Sequence, residues 1–309
     1  MSTGTFAGVG GAGCGNASSA DVGRQGDTLS VLLAQRALAT RPDPLSDTVR
    51  FACVAAYDGL CFHGWMKQKG ETLTVQGCLE QRLQSLLRRD VWVVAHGRTD
   101  AGVHSAGTVF HFDITRAEAT RLAGTTPLPD QLYVLTCDAV SARFHARRSS
   151  CGKEYHYRVG EARPHPLAAR GMHVLTGGCK ALDLDAMQKA AAALLGEGVR
   201  DWSFLAHKSE LSGDWEPERC KVRRLFKLEV VREGAVVTIR IAGDFFLWNM
   251  CRRIAGLLVS VGQGRCSAEE VTDPARCPLV TMPAKGLMLQ EVWYADDGVG
   301  LDPNAEGFI

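Results

Sequence analysis

Gly97-Arg98-Thr99-Asp100-Ala101-Gly102-Val103-His104 places one acid, one permanent cation and two glycines in eight residues. Apolar, strand-like stretches flank it at 91–95 and 107–112. A strand, a glycine-permitted turn and a second strand present the Asp100 carboxylate rather than bury it, which suits a group that meets a substrate. Turn chemistry alone would equally allow an exposed hairpin whose Asp caps its own backbone.

Outward from this turn, strand and helix signals alternate. Phe51, Cys53, Ala55 and Tyr57 alternate as a strand does and stop at Asp58-Gly59. Val75, Leu79, Leu83, Leu86 and Leu87 recur at helical spacing. A short helix is predicted at 115–122 and a strand at 132–140. The second half restarts with a strand at 154–159, and Asp183 caps a helix through Leu195 that Gly196 ends. A hairpin pairs 225–231 with 236–241, a long helix covers 247–261, and 287–294 is a closing strand. This order predicts an α+β fold of two similar α/β subdomains, with largely antiparallel sheets flanked by helices and facing a central cleft. The expected divisions are 48–145, carrying the octet, and 146–295. Residues 1–47, rich in Gly, Ala and Ser at their start, read as a disordered extension, and 296–309 as an acidic tail.

Composition narrows the class. A chain of 309 residues suits two fused halves. Eleven cysteines with no C-x-x-C pair argue against a disulfide framework or a zinc ribbon and fit a reducing compartment. No stretch approaches the roughly 20 apolar residues that span a bilayer. The site of action is therefore expected inside the cell, in cytoplasm or nucleus, with an organelle address in the extension left open. The net charge of +1 conceals an uneven distribution: residues 48–295 hold 32 Lys and Arg against 26 Asp and Glu. The bases cluster in two runs, from Arg143 through Arg147, Arg148 and Lys153 to Arg158, and from Arg219 through Lys221, Arg223 and Arg224 to Lys227. Such runs can neutralise nucleic-acid phosphates, although a solvated face would look the same. No G-x-G-x-x-G follows a strand and no phosphate-loop lysine motif occurs, which speaks against dinucleotide and triphosphate chemistry.

GRTDAGVH resembles the signature of the TruA-type pseudouridine synthases. Tyr57-Asp58-Gly59 with Gly64-Trp65 and Gln68 is similar to that family's opening block, and Phe144-His145-Ala146-Arg147 followed by Lys153-Glu154-Tyr155 to its middle block. Phe246 through Ile254 resembles the F-x-x-x-M-V-R-x-I block, and Ala284-Lys285-Gly286-Leu287 the closing one. The resemblance spans about 49–294. It departs at Ser105, in the lengthened polar segment 207–219 and in the extension.

The resemblance implies a tRNA pseudouridine synthase, an isomerase of uridine, acting most often at positions 38–40 of the anticodon stem-loop. It implies Asp100 as nucleophile, Tyr155 as the ring stacked on the target uracil, and Arg252 in contact with the acid. Arg98 would keep the target nucleotide flipped out, and Leu287 would pack near the flipped base. The chemistry moves the C1′ bond from N1 to C5, so neither oxidation nor group transfer occurs and no cofactor or metal is expected. An ionised carboxylate is needed, and a nearby guanidinium favours that form. tRNA is the implied partner, rather than DNA or a membrane, and a homodimer is possible. The competing reading is a catalytically silent RNA-binding or tRNA-folding protein on the same scaffold. A zinc hydrolase or deaminase lacks its H-x-E and P-C-x-x-C groupings.

Overall fold

The computed structural model describes residues 46–70, 72–122, 128–161, 169–175, 181–206, 221–273 and 275–294. All but the last two residues of the expected extension 1–47, the acidic tail 296–309 and the polar segment 207–219 lie outside the described residues.

Ten strands form one sheet, in the order β4 (Leu132–Val140), β1 (Thr48–Tyr57), β3 (His104–Thr115), β10 (Leu287–Tyr294), β5 (Ser150–Gly160), β9 (Val236–Gly243), β8 (Val222–Glu233) and β7 (Val199–Asp201). The two-residue strands β2 (Val94–Ala95) and β6 (His173–Val174) pair beside β3 and β5. Along the main order, neighbours run antiparallel except β3 and β10, which are parallel and joined at Met288–His104 and Leu289–Ser105. The sequence reading expected a sheet in each half; the closing strand instead welds both into one. Adjacent strands then align Tyr57, Ser105, Leu289, Tyr155 and Ile241 in a single row across the sheet. Since side chains alternate between faces, this register brings the octet's exit within two strands of Tyr155.

Helix α1 (Val75–Leu87) opens on Thr74, whose hydroxyl accepts from the Gly77 N–H at 3.2 Å, and stops at Arg88 in the left-handed region (φ 61°). It packs Leu79, Leu83 and Leu87 with Phe110 and Phe112 of β3. The strand expected at 91–95 shrinks to β2 for a polar reason. Gln76 donates to the Val93 carbonyl at 3.2 Å, and Glu80 accepts its N–H at 3.4 Å, so α1 satisfies Val93 before the sheet can. The helix expected at 115–122 reduces to α2 (Arg116–Ala119), begun by a Thr115–Glu118 capping box.

In the second half, α3 (Leu184–Leu195) is capped by Asp183 and ended by Gly196, as its sequence suggests. Helix α4 (Met250–Gly262) is buried at nearly every position and packs against α3 and β5. The larger core lies here, with Met187, Leu194, Ile239, Ile241, Ile254 and Leu258 at its centre. Beyond α4, Cys266 and Cys277 form one disulfide, eleven residues apart. That separation carries no local pattern, so the cysteine spacing gave no hint of it. Among the described residues no helix is long and apolar enough to cross a membrane.

Candidate active site

Asp100 sits where the two halves join. Its Oδ2 lies 3.5 Å from Arg252 Nη1, and its Oδ1 accepts a hydrogen bond from Trp248 Nε1 at 3.1 Å. Its carboxylate remains 40% exposed, open to a substrate, whereas the Arg252 side chain is only 18% exposed.

The octet is held from behind by β1 and the turn that follows it. Trp65 N–H donates to the Thr99 carbonyl at 3.0 Å, and the Tyr57 and Thr99 hydroxyls pair at 2.8 Å. Gly64 adopts φ +90°, and a Cβ there would stand 2.8 Å from the Thr99 carbonyl oxygen. Only glycine combines that dihedral with that approach. At Gly59 a Cβ would lie within 2.0 Å of the Val103 carbonyl. His104 closes the brace: its Nδ1 accepts from Gly59 N–H at 3.3 Å, beside Asp58, which Arg170 holds at 2.7 Å. Burial pushes the His104 pKa down, against the opposing pull of Asp58, so the ring stays neutral and able to accept. The Tyr57–Trp65 block, which the sequence offered as a strand, a turn and a packed Trp, is the mould of the turn that carries Asp100.

Arg252 is held differently. Asn249 immediately precedes α4 with φ +61°, a conformation Asn tolerates better than most residues. Its Oδ1 accepts from Arg252 Nη1 at 2.7 Å, and Arg252 Nε donates to the Met282 carbonyl at 2.6 Å. With these bonds made, the guanidinium faces Asp100. A cation in a helix's first turn opposes the helix dipole, so an acid opposite it offsets that cost. Arg253, about 100° further round the helix, turns inward to the Thr281 hydroxyl and the Leu205 carbonyl.

Tyr155 stands in β5 between Leu289 and Ile241, 8% exposed, with the Phe246 ring edge-on at 5.4 Å between centroids. Burial raises its phenol pKa well above the ordinary value, with Cys251, Tyr57 and the negative charge of Asp100 adding to the effect. It is therefore an uncharged ring near the acid. Leu287, buried at the start of β10, pairs opposite Tyr157. Gly286 before it allows the close approach, since a Cβ there would stand 2.6 Å from the Tyr157 ring. The structure does not bring Arg98 to Asp100: that side chain is exposed and forms no ion pair with the described residues.

The basic runs divide in the same way. Lys227 is pinned to Glu154 at 3.1 Å and Lys221 is buried, whereas Arg147, Arg148 and Arg224 face solvent. Lys153 approaches the octet beside Gly97, and burial pushes its pKa down to about 8. His145 is a turn residue: its Nδ1 accepts from the Arg147 and Arg148 N–H groups at 3.2 Å. Among the described residues no group of three or more His, Cys, Asp or Glu side chains is placed to hold a metal. Sequence reasoning missed Trp248, whose contact with Asp100 is made across the join, and Asn249, whose bond to Arg252 is local but depends on the left-handed backbone at the helix start.

A carboxylate on a braced turn, matched to an arginine on a buried helix at the seam of one continuous sheet, defines a site centred on a single acid. Residues 190–295, which include Arg252 and Leu287, match a family described as tRNA pseudouridine synthase. The tRNA pseudouridine synthase A of Brevibacillus brevis is 38% identical over 255 residues, covering 79% of this chain and 99% of the relative. That of Geobacillus kaustophilus is 35% identical over 260 residues (81% and 96%), and that of Nitrosococcus oceani 36% over 257 (80% and 95%). The chain belongs to the tRNA pseudouridine synthase family.

Proposed function

We propose that this chain isomerises uridine to pseudouridine in tRNA, with Asp100 as its nucleophile. The observation that carries the reading is the convergence of Asp100, Arg252 and Tyr155, from a turn, a helix and a strand far apart in sequence, at one partly open carboxylate. Family membership supplies the reaction class.

In the reaction the N1–C1′ bond breaks, the uracil turns and C5 bonds to C1′. A hydrogen leaves C5 and N1 gains one, so the product is an isomer and nothing is consumed. Asp100 attacks the nucleoside, either at the base or at the sugar, to free the uracil for its turn. Arg252 favours the anionic carboxylate and aims it. Tyr155 supplies an apolar ring for a base removed from its stack, an interaction worth roughly 1–3 kcal/mol in nucleic-acid binding. Leu287 packs beneath the same base. Arg98, exposed at the lip of the turn, holds the strand from which the nucleotide is flipped. The solvent-facing Arg147, Arg148 and Arg224 are available to RNA phosphates.

The target we favour is the anticodon stem-loop at positions 38–40, bound by a pair of subunits. Comparing pseudouridine maps of tRNA made with and without the protein tests the position: loss of signal at 38–40 supports it, and loss elsewhere replaces it. Single-turnover tritium release from uridine labelled at C5 separates the enzyme from the silent RNA-binding protein, which would release none.

A further inference from the structure

Trp248 belongs to none of the roles proposed above, yet of the two side chains on the Asp100 carboxylate it makes the shorter contact. Its indole N–H donates to Oδ1 at 3.1 Å, while Arg252 faces Oδ2 at 3.5 Å. The residue is 46% exposed, so part of its ring surface stays open to solvent while its edge holds the carboxylate. Its direction follows from the backbone. Leu247 before it is buried and Asn249 after it takes the left-handed conformation, so the chain turns sharply and leaves the indole over the carboxylate.

We infer that Trp248 is a positioning residue that couples RNA seating to the orientation of the nucleophile. The edge of the ring holds Asp100, and the exposed ring surface seats a nucleobase beside the target uridine. Each carboxylate oxygen has two lone-pair directions, so a donor on Oδ1 fixes the rotamer without blocking attack. An indole has one donor and no acceptor, and so cannot instead draw Asp100 into a competing proton-donating bond. An aromatic surface stacks on any base, so this contact adds affinity without reading sequence. The inference rests on the proposed isomerase activity, and wild-type turnover on tRNA is the separate test of that activity.

Three variants separate the two halves of the inference, each checked for an unchanged melting temperature. Trp248→Phe keeps an aromatic surface and loses the donor; single-turnover rate should fall roughly 10- to 100-fold, with tRNA Kd within about twofold. Trp248→His restores a ring N–H and should recover most of that rate. Trp248→Leu removes donor and aromatic surface, so the same rate loss should come with Kd weakened at least about fivefold. A Trp248→Phe enzyme as fast as wild type, or one no slower than Trp248→His, overturns the donor assignment. A Trp248→Leu enzyme that binds tRNA as wild type does overturns the stacking assignment. If wild type itself forms no pseudouridine, the proposed function fails instead.

Discussion

The two arms of the site reach the same place by opposite means. Asp100 rides on a turn with no regular structure of its own, held by hydrogen bonds from Tyr57 and Trp65 and by the close approach that Gly64 permits. Arg252 rides on a buried helix, and its placement is fixed by its own neighbours: Asn249 in a left-handed conformation and the Met282 carbonyl. The acid borrows its rigidity from β1 and its turn, whereas the cation brings rigidity with it. A turn can present a carboxylate to substrate at 40% exposure, which a helix packed on every side could not. In this chain the carboxylate proposed to react and the guanidinium proposed to orient it ride on elements of different stiffness.

The largest expected effect falls on the reactive arm. Asp100→Asn should abolish pseudouridine formation while tRNA binding changes little; a variant keeping a tenth of the wild-type single-turnover rate breaks the assignment of nucleophile. Next comes the orienting arm. Arg252→Lys keeps a charge but loses the planar fork shared among Asp100, Asn249 and Met282, and should slow turnover roughly 10- to 100-fold. Equal rates for wild type and Arg252→Lys would show that charge alone suffices. The brace can then be tested without touching either arm. Gly64→Ala forces a side chain at φ +90° against the Thr99 carbonyl and should destabilise the fold by about 1–3 kcal/mol, with activity falling further than the loss of folded protein explains. Thermal melts beside rate assays distinguish the two contributions. Tyr57→Phe removes one 2.8 Å hydrogen bond to Thr99 and should cost only about 1 kcal/mol in denaturant titration.

The remaining expectation concerns pH dependence, and it bears on stability rather than on turnover. Lys153 has a folded-state pKa of about 8, below its ordinary 10.5, because burial disfavours its charge. Between those values the unfolded chain binds the extra proton, so stability should rise with pH across that window. The penalty is fully present below about 8 and gone above 10.5. Lys153→Met should flatten this slope in melts taken from pH 7 to 11, and an unaltered slope would show that Lys153 is not the group responsible.

Much of this was legible in the chain. Asp183 and Gly196 bracket α3 because capping is a local matter, and β4 and β10 occupy the stretches 132–140 and 287–294 expected for them. The octet carried the acid because a glycine-rich turn advertises itself. The strand at 91–95 failed because Gln76 and Glu80, 17 and 13 residues earlier on α1, took the Val93 backbone. Arg98 and Arg252 could both have supplied the counter-ion on residue type, and only the fold chose Arg252. Trp248 gave no signal at all, since an aromatic near a helix start reads as core.

The sequence by itself determined the parts whose causes are local: the turn that presents Asp100, the helix faces, the caps, and the family pattern in which they are ordered. The tertiary structure decided the rest. The parallel weld of β10 to β3 merged the expected sheets into one and set Tyr57, Ser105, Leu289 and Tyr155 in a row. It brought Arg252 and Trp248 to a carboxylate some 150 residues away, at sequence separations of 152 and 148. Periodicity records which face a residue shows to its own element. Which distant residue meets that face depends on strand order and register, and those emerge only when the whole sheet closes.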